Sequence, residues 1–498
     1  MLYPPFITLN EESDTPLYRQ IYEAIRRGIL SGEFFPGKHL PSSRFLAKQL
    51  RVSRTTIVNT YDQLVAEGYL ESKRGAGTFV AAHLPEEFLS APNSEQQENM
   101  IEPPKRNLKL SRYGKTVSEG SLTILRNSRT TPAIPFQHGL AAVNEFPFDV
   151  WTKLTNKVYR TLPRDDFGYG EPAGFYPLRV SISAYLKSAR AVNCSPDQII
   201  ITNGAQHAFD LVGRVLLERG SEVLIENPCY TGSRQAFRSY EAKLIPVPVD
   251  KNGFNLPSKL KKNRKARLAC ITPSHQFPLG VTMSLARRME LLEWAEDTET
   301  WIIEDDYDSE FRYAGRPLAS LQGLDRNRRV LYIGTFSKTI FPGLRLGCLV
   351  VPPDFVELFT AIRALNGSHS PLIDQATLAE FISEGHFARH VRRMRRLYEE
   401  RQEVLISVAK EHLTGLLEIE RSVSGMHVIG WLNEGMQDTT VAENARALGV
   451  KTSAVSSYSL TKWQQRGGLV LGYTAIDGKQ IKKAIKQLAQ AIENSVEM

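Results

Sequence analysis

Between residues 17 and 30 apolar side chains return every three or four positions, at Leu17, Ile21, Ile25, Ile29 and Leu30, the spacing of one helix face. Pro16, after Asp14 and Thr15, suits a first helical turn, and Ser31-Gly32 stops the pattern. A turn over residues 35–41 leads to Ser42, which caps a short helix carrying Phe45, Leu46 and Leu50. After the break at Arg51-Val52, Ser53 caps a third helix, Arg54 to Glu67, with Val58, Tyr61, Leu64 and Val65 inward and Gly68 at its end. Tyr69–Ser72 and Thr78–Val80 read as two small strands around the basic, glycine-rich turn Lys73-Arg74-Gly75-Ala76-Gly77. Residues 82–130 lose the periodicity and hold Pro85, Pro92, Pro103 and Pro104, which predicts a linker. From residue 131 to 498 short apolar runs alternate with longer helical patterns, the signature of an α/β domain.

Two short helices joined by a turn and followed by a basic hairpin outline a winged helix-turn-helix over residues 12–81. Arg54, at the start of the second of these helices, can fork onto a guanine edge, while Thr55 and Thr56 offer hydroxyls to phosphate and methyls to thymine. Arg44 would reach the backbone or a base from the preceding helix, and Arg74 with Gly75 would form the contact of the wing. With Ser53 capping the reading helix, these are the candidate contacts to double-stranded DNA. The bland alternative is a small three-helix interaction module with solvated arginines.

In the α/β region several apolar runs end in residues able to do chemistry. Val330–Gly334 reads as a buried strand that gives way to Thr335-Phe336-Ser337-Lys338. A lysine in an apolar wall loses solvation, its pKa falls, and the neutral amine can condense with an aldehyde. Lys338 is therefore the candidate for a Schiff base with pyridoxal 5′-phosphate, and Arg345, after the turn at 341–344, a candidate phosphate ligand. Ile199–Thr202 turns through Gly204, Ala205 and Gln206 into a helix whose free amides suit a phosphate. Tyr230, past the run at 223–226, can stack on a flat heterocycle. Trp301–Ile303 runs into Glu304-Asp305-Asp306, acids that repel one another unless something positive compensates. A protonated pyridine nitrogen would do so, with Asp305 as its partner and Tyr307 near the phenolate oxygen. A metal reading of these acids lacks a neighbouring histidine or cysteine cluster in the sequence.

The length of 498 residues demands two or three domains. Composition is that of an ordinary globular protein, and the net charge of +8 is compatible with a polyanionic partner without requiring one. Cys194, Cys229, Cys270 and Cys348 are scattered, with neither metal spacing nor a disulfide framework, which fits a reducing cytoplasm. No apolar run approaches the roughly 18 residues of a membrane span, and no export signal precedes the first helix. The arginines at 389, 392, 393, 395 and 396 lie in a helical stretch and read as a solvated or interface face.

Residues 12–81, through PLYRQIYEAIRRGILSGEFFPGKHLPSSRFLAKQLRVSRTTIVNTYDQLVAEGYLESKRGAGTFV, resemble the DNA-binding domain of the GntR superfamily of bacterial regulators. Residues from about 135 to 495 resemble a fold-type I aminotransferase through FGYGEPAGFYPLR, IITNGAQHAFDL, ENPCY, TPSHQFPLG, IIEDDYDSEFRY and GTFSKTIFPGLRLG. Together they resemble a MocR-type regulator. The resemblance implies a multidomain chain, an α+β winged helix joined to an α/β pyridoxal-phosphate domain. By position it makes Lys338 the Schiff-base lysine, Arg345 the phosphate arginine, Asp305 the pyridinium partner, Tyr307 the phenolate donor and Tyr230 the stacking ring, with His275 and Gln276 as candidate ring contacts. It also implies a homodimer, and an effector sensed through an aldimine at Lys338. One departure stands out. The arginine that holds a substrate carboxylate in aminotransferases is missing from both 454–459 and 471–475, and Arg466 lies in a polar loop. Without that clamp an amino acid loses a charge-assisted contact of about 2 to 5 kcal/mol. The expectation is a regulator sensing pyridoxal phosphate itself or a small amine. The alternatives are a working aminotransferase localised by its DNA-binding module, and a repressor that has lost the cofactor.

Overall fold

The computed structural model describes residues 7–10, 13–73, 75–85, 109–120, 134–262, 264–315 and 318–496. The chain divides into two compact units, Met1–Leu108 and Lys109–Met498.

In the first unit three helices, α1 (Leu17–Leu30), α2 (Ser43–Leu50) and α3 (Arg54–Ala66), precede a hairpin of β1 (Leu70–Lys73) and β2 (Gly77–Val80). Ser42 and Ser53 cap α2 and α3 by accepting from the backbone N–H of Phe45 and Thr56, as their sequence setting predicts. Ile21, Ile25, Leu46, Ile57, Leu64, Leu70 and Val80 form the core. The segment before α2 adds to the hairpin edge, with Leu40 donating to the Thr78 carbonyl and Val80 to that of Lys38. The helix phases differ in detail from the sequence reading. Ile57 is fully buried and Val58 only half so, and Leu30 and Phe45 are exposed. Pro16 occupies the N-cap position of α1 with no side-chain cap. A periodic pattern locates a stripe about 100° wide, so residues at its margins fall either way.

The second unit is built on an eight-stranded sheet. Its strands are β3 (Ile199–Thr202), β4 (Glu222–Asn227), β5 (Lys243–Asp250), β6 (Gly253–Phe254), β7 (Ala266–Ile271), β8 (Trp301–Asp306), β9 (Val330–Thr335) and β10 (Gly347–Val350), in the order β3-β10-β9-β8-β7-β4-β5-β6. β5, β4, β7, β8 and β9 run parallel, and β10 lies antiparallel between β9 and β3. Both faces are covered, which is why these strands are continuous apolar runs. Leu331, Ile333 and Leu349 pack with Phe209, Val212 and Phe237, while Tyr332, Cys348 and Val350 face Leu178, Ile182 and Phe381. All four cysteines are buried and unpaired with one another. A second sheet of β11 (Leu417–Ile419), β12 (His427–Leu432), β13 (Ser453–Ala454) and β14 (Gly468–Gly472) packs on the helices His386–His412 and Gly478–Val496.

Within the stretch predicted as linker, Arg112–Gly120 is helical. Tyr113 lies against Tyr240, ring centroids 6.1 Å apart, and Arg112 pairs with Glu241 at 3.6 Å. A nine-residue helix is marginal alone and draws its stability from such a docking surface. The rest of the expected linker, residues 86–108 and 121–133, lies outside the described residues. No helix among the described residues is long and apolar enough to cross a membrane.

Candidate cofactor site and nucleic-acid interface

The parallel strands β4, β7, β8 and β9 all finish on one edge of the sheet, β3 finishes beside them, and β10 begins there. Residues at and just past those ends therefore converge although up to about 140 positions separate them. A cavity of about 260 Å³ sits there, lined by Ala205, Gln206, Tyr230, Asp305, Tyr307, Lys338 and Arg345 among others. Three of the predicted cofactor residues are not in its lining. Gly204 lies immediately behind Arg345, a Cβ there standing 3.2 Å from Arg345 Nη2. The candidate ring contacts His275 and Gln276 are engaged elsewhere, His275 with Tyr307 and Asp308 and Gln276 with Glu226 and the carbonyls of Pro228 and Phe277.

Lys338 donates from Nζ to the Gly139 carbonyl oxygen at 2.7 Å. Burial lowers its pKa; Asp308 and Asp305 oppose that shift and Arg345 adds to it. Arg345 has a left-handed backbone, φ 51°, and donates to the Asn203 carbonyl at 2.7 Å. This aims the guanidinium at the start of the helix Ala205–Leu216, whose N-cap is Gly204 at φ 87°. The first amides of that helix and the arginine together form a ready oxyanion cradle.

Alternation along β8 resolves the three neighbouring acids. Glu304 accepts from the backbone N–H of Leu321 and Gln322, both at 2.8 Å. Asp306 accepts from Arg190 at 2.8 Å and Tyr332 at 2.7 Å. Burial disfavours the Asp306 charge, but Arg190 and these hydrogen bonds hold its pKa below the usual carboxylate value. Asp305 points the other way, into the cavity, with Oδ1 buried and without a hydrogen-bond partner among the described residues. Burial first, then Asp306, Asp308 and Glu226, push its pKa up to about 8. A buried, unpartnered carboxyl oxygen is costly and suits a cationic N–H that is itself part of a ligand.

Tyr307 places its hydroxyl 2.9 Å from His275 Nδ1, and the same nitrogen lies 3.0 Å from Asp308. The fold thus assembles something absent from the linear sequence: ligand atoms of His275, Asp308 and His427 lie within 4.8 Å of one another, all buried. His275 Nδ1 is held by Tyr307 and Asp308 and His427 Nε2 lies 2.8 Å from the Pro278 carbonyl, while His275 Nε2 is buried without a hydrogen-bond partner among the described residues. Sequence reasoning also missed His138, Gly139 and His427 as cavity residues. His138 and Gly139 sit where ordered structure resumes, a visible hint, whereas His427 in an apolar strand carries none.

Lys338 and Arg345 are the Lys or Arg side chains lining the cavity among the described residues. Arg466 is engaged elsewhere, contacting Glu418 and the carbonyls of Leu432 and Trp431. At the two stretches lacking an arginine, Tyr458 lies 3.3 Å from His138 Nε2 and Tyr473 donates to the Gly425 carbonyl.

In the first unit Arg44, Arg54 and Thr55 are exposed, and Gly75 sits at the hairpin tip with φ 80°. Ser53 is spent on capping α3, and Thr56 Oγ1 lies 2.8 Å from Ser53 Oγ, which ties that hydroxyl to the cap. Arg74 lies outside the described residues.

Residues 17–80 match the family of bacterial regulatory proteins, gntR family, and residues 140–445 match aminotransferase class I and II. Fold and site therefore define a gntR-type helix-turn-helix joined to an aminotransferase-like domain. The chain belongs to the MocR-type transcriptional regulators. It is 38% identical over 486 residues to the probable rhizopine catabolism regulatory protein MocR of Rhizobium meliloti, covering 97% of this chain and 95% of that one. The pyridoxine biosynthesis regulator PdxR of Corynebacterium glutamicum is 31% identical over 98% of both chains. Among solved structures, the kynurenine aminotransferase of Pyrococcus horikoshii, in complex with PMP, superposes with a TM-score of 0.69 at 28% identity, covering 79% of this chain and 96% of that one.

Proposed function

We propose that this protein is a cytoplasmic, DNA-binding transcriptional regulator whose large domain binds pyridoxal 5′-phosphate and uses it to sense either the cofactor itself or a small amine. The observation that carries the reading is Asp305, a buried carboxyl with an unpartnered oxygen facing the same cavity as Lys338 and the Arg345 cradle. When bound, the cofactor would supply an aldehyde that condenses with an amine and a ring that draws electrons. Lys338 would be that amine, Arg345 with the amides of Ala205 and Gln206 would hold the phosphate, and Asp305 the ring nitrogen. Tyr307 would donate to the ring oxygen, and Tyr230 would cover the ring. Arg44, Arg54, Thr55 and Thr56, with Arg74 and Gly75 on the wing, would contact DNA, and a homodimer would read repeated half-sites. Cofactor binding can shift DNA affinity only by its differential affinity for the two states of the protein.

A regulator is favoured over a working aminotransferase because no cavity-lining arginine remains, beyond Arg345, to clamp a substrate carboxylate among the described residues. The test combines borohydride reduction of the cofactor-treated chain with footprinting on its own upstream DNA. An adduct mapped to Lys338 and a cofactor-dependent footprint are expected. A colourless protein with no adduct, and a footprint indifferent to the cofactor, would refute the proposal, while sustained keto-acid release from an amino-acid panel would establish the enzyme instead.

A further inference from the structure

The basic run at residues 389–396 turns out to border a second, larger cavity of about 440 Å³, separate in its lining from the one around Lys338. Arg392 and Arg395 come one helical turn apart from the helix His386–His412, and Arg190 and Arg312 from other segments. Arg190 is neutralised by Asp306. Arg312, Arg392 and Arg395 make no ion pair among the described residues, and Arg395 donates only to the backbone carbonyl of Glu310 at 3.0 Å. The Arg312 Nε is buried and unpartnered, and so is the hydroxyl of Ser424, a residue 3% exposed that lines the same space. Glu310, the one carboxyl in the lining among the described residues, accepts from the Tyr185 hydroxyl at 3.0 Å, and burial pushes its pKa up to about 7.

Converging guanidiniums without counter-charges, beside an unpartnered hydroxyl, are unfavourable until an anion compensates them. The planar fork of arginine matches oxyanions in two-point contacts. Tyr185, Tyr313 and Val391 add apolar wall, so the space also suits a carbon skeleton. We propose that this cavity binds a small organic polyanion, a phosphate monoester or a di- or tricarboxylate, through Arg312, Arg392, Arg395 and Ser424. Arg190 bridges the site to Asp306, the neighbour of Asp305 on β8, so an anion here acts on the strand that also lines the first cavity.

The test is calorimetric titration of the full-length chain with inorganic phosphate and with citrate. An Arg345→Ala background removes the arginine of the first cavity, and comparison with variants at the second cavity alone assigns the remaining binding, so the outcome is independent of the cofactor reading. One saturable site per chain is expected, weakened about tenfold or more in R312Q/R395Q. R392Q, at an exposed position, is expected to fold and to weaken binding severalfold, and it decides the matter if the double variant does not fold. Stronger phosphate binding assigns a phosphate monoester, and stronger citrate binding a polycarboxylate. Absence of saturable binding by either probe, or binding equal to the parent in the folded variants, overturns the proposal.

Discussion

Lys338 and Gly139, 199 residues apart, meet so closely that a Cβ on the glycine would stand 2.9 Å from the lysine nitrogen. Gly139 also has φ 72°, a left-handed backbone that other residues adopt at a cost of about 1 kcal/mol. Gly139→Ala is therefore expected to displace Lys338 from the Gly139 carbonyl and to weaken cofactor attachment about tenfold or more, measured by absorbance titration with pyridoxal 5′-phosphate. A titration matching the parent would show that the lysine does not depend on this contact.

Asp305 ties stability to pH. Its carboxyl titrates at about 8 in the folded chain, far above the value of about 3.9 in an unfolded one. Between those values the folded state keeps a proton that the unfolded state has released, so this contribution is complete below the unfolded value and is lost as pH rises through about 8. The cofactor-free protein should lose stability between pH 5 and pH 7, and Asp305→Asn should remove about 1 kcal/mol per pH unit of that decline. Part of the slope should persist, because burial also raises Glu226, Glu304 and Glu310, each to about 7. Equal slopes in parent and variant, by denaturant unfolding, would place the Asp305 proton elsewhere.

Arg190 and Asp306 form a buried pair at 2.8 Å, each side chain nearly inaccessible. Arg190→Ala should destabilise the second unit by about 3 to 5 kcal/mol, since it strands a carboxylate in a low-dielectric interior. Adding Asp306→Asn should recover part of that loss. A double variant no more stable than R190A in urea unfolding would mean that lost packing, rather than the stranded charge, sets the penalty.

At the start of α3, Ser53 accepts from Thr56 at 3.1 Å. Ser53→Ala should cost about 1 kcal/mol of stability in the first unit, read from its thermal transition. Arg54→Ala should leave that transition in place and cost about 1 to 3 kcal/mol at one operator base, relaxing specificity there. Uniform weakening across all DNA sequences would reduce Arg54 to a phosphate contact.

Local chemistry was legible in the chain itself. The caps at Ser42 and Ser53, the ends of β3 and β9, and the residues standing just past those ends follow from periodicity, capping and turn residues, all of which act over a few positions, whereas β8 runs on through all three acids to Asp306. Acids crowded at 304–306 announced a special environment, and Lys338 and Arg345 stood in a readable strand-and-turn setting. What only tertiary structure decided is which of those groups go unsatisfied. Glu304 accepts from residues 321–322, and Asp306 accepts from Arg190 and Tyr332 through Oδ2 while its Oδ1 stays buried and unpartnered among the described residues. Of the three acids Asp305 is the one that lines the first cavity. The same holds for Gly139 under Lys338, for His427 beside His275, and for arginines of a surface-looking run that border a second cavity. Such pairings depend on strand order and helix placement across hundreds of residues, and the chemistry of a site is set by these distant neighbours, which govern solvation and charge.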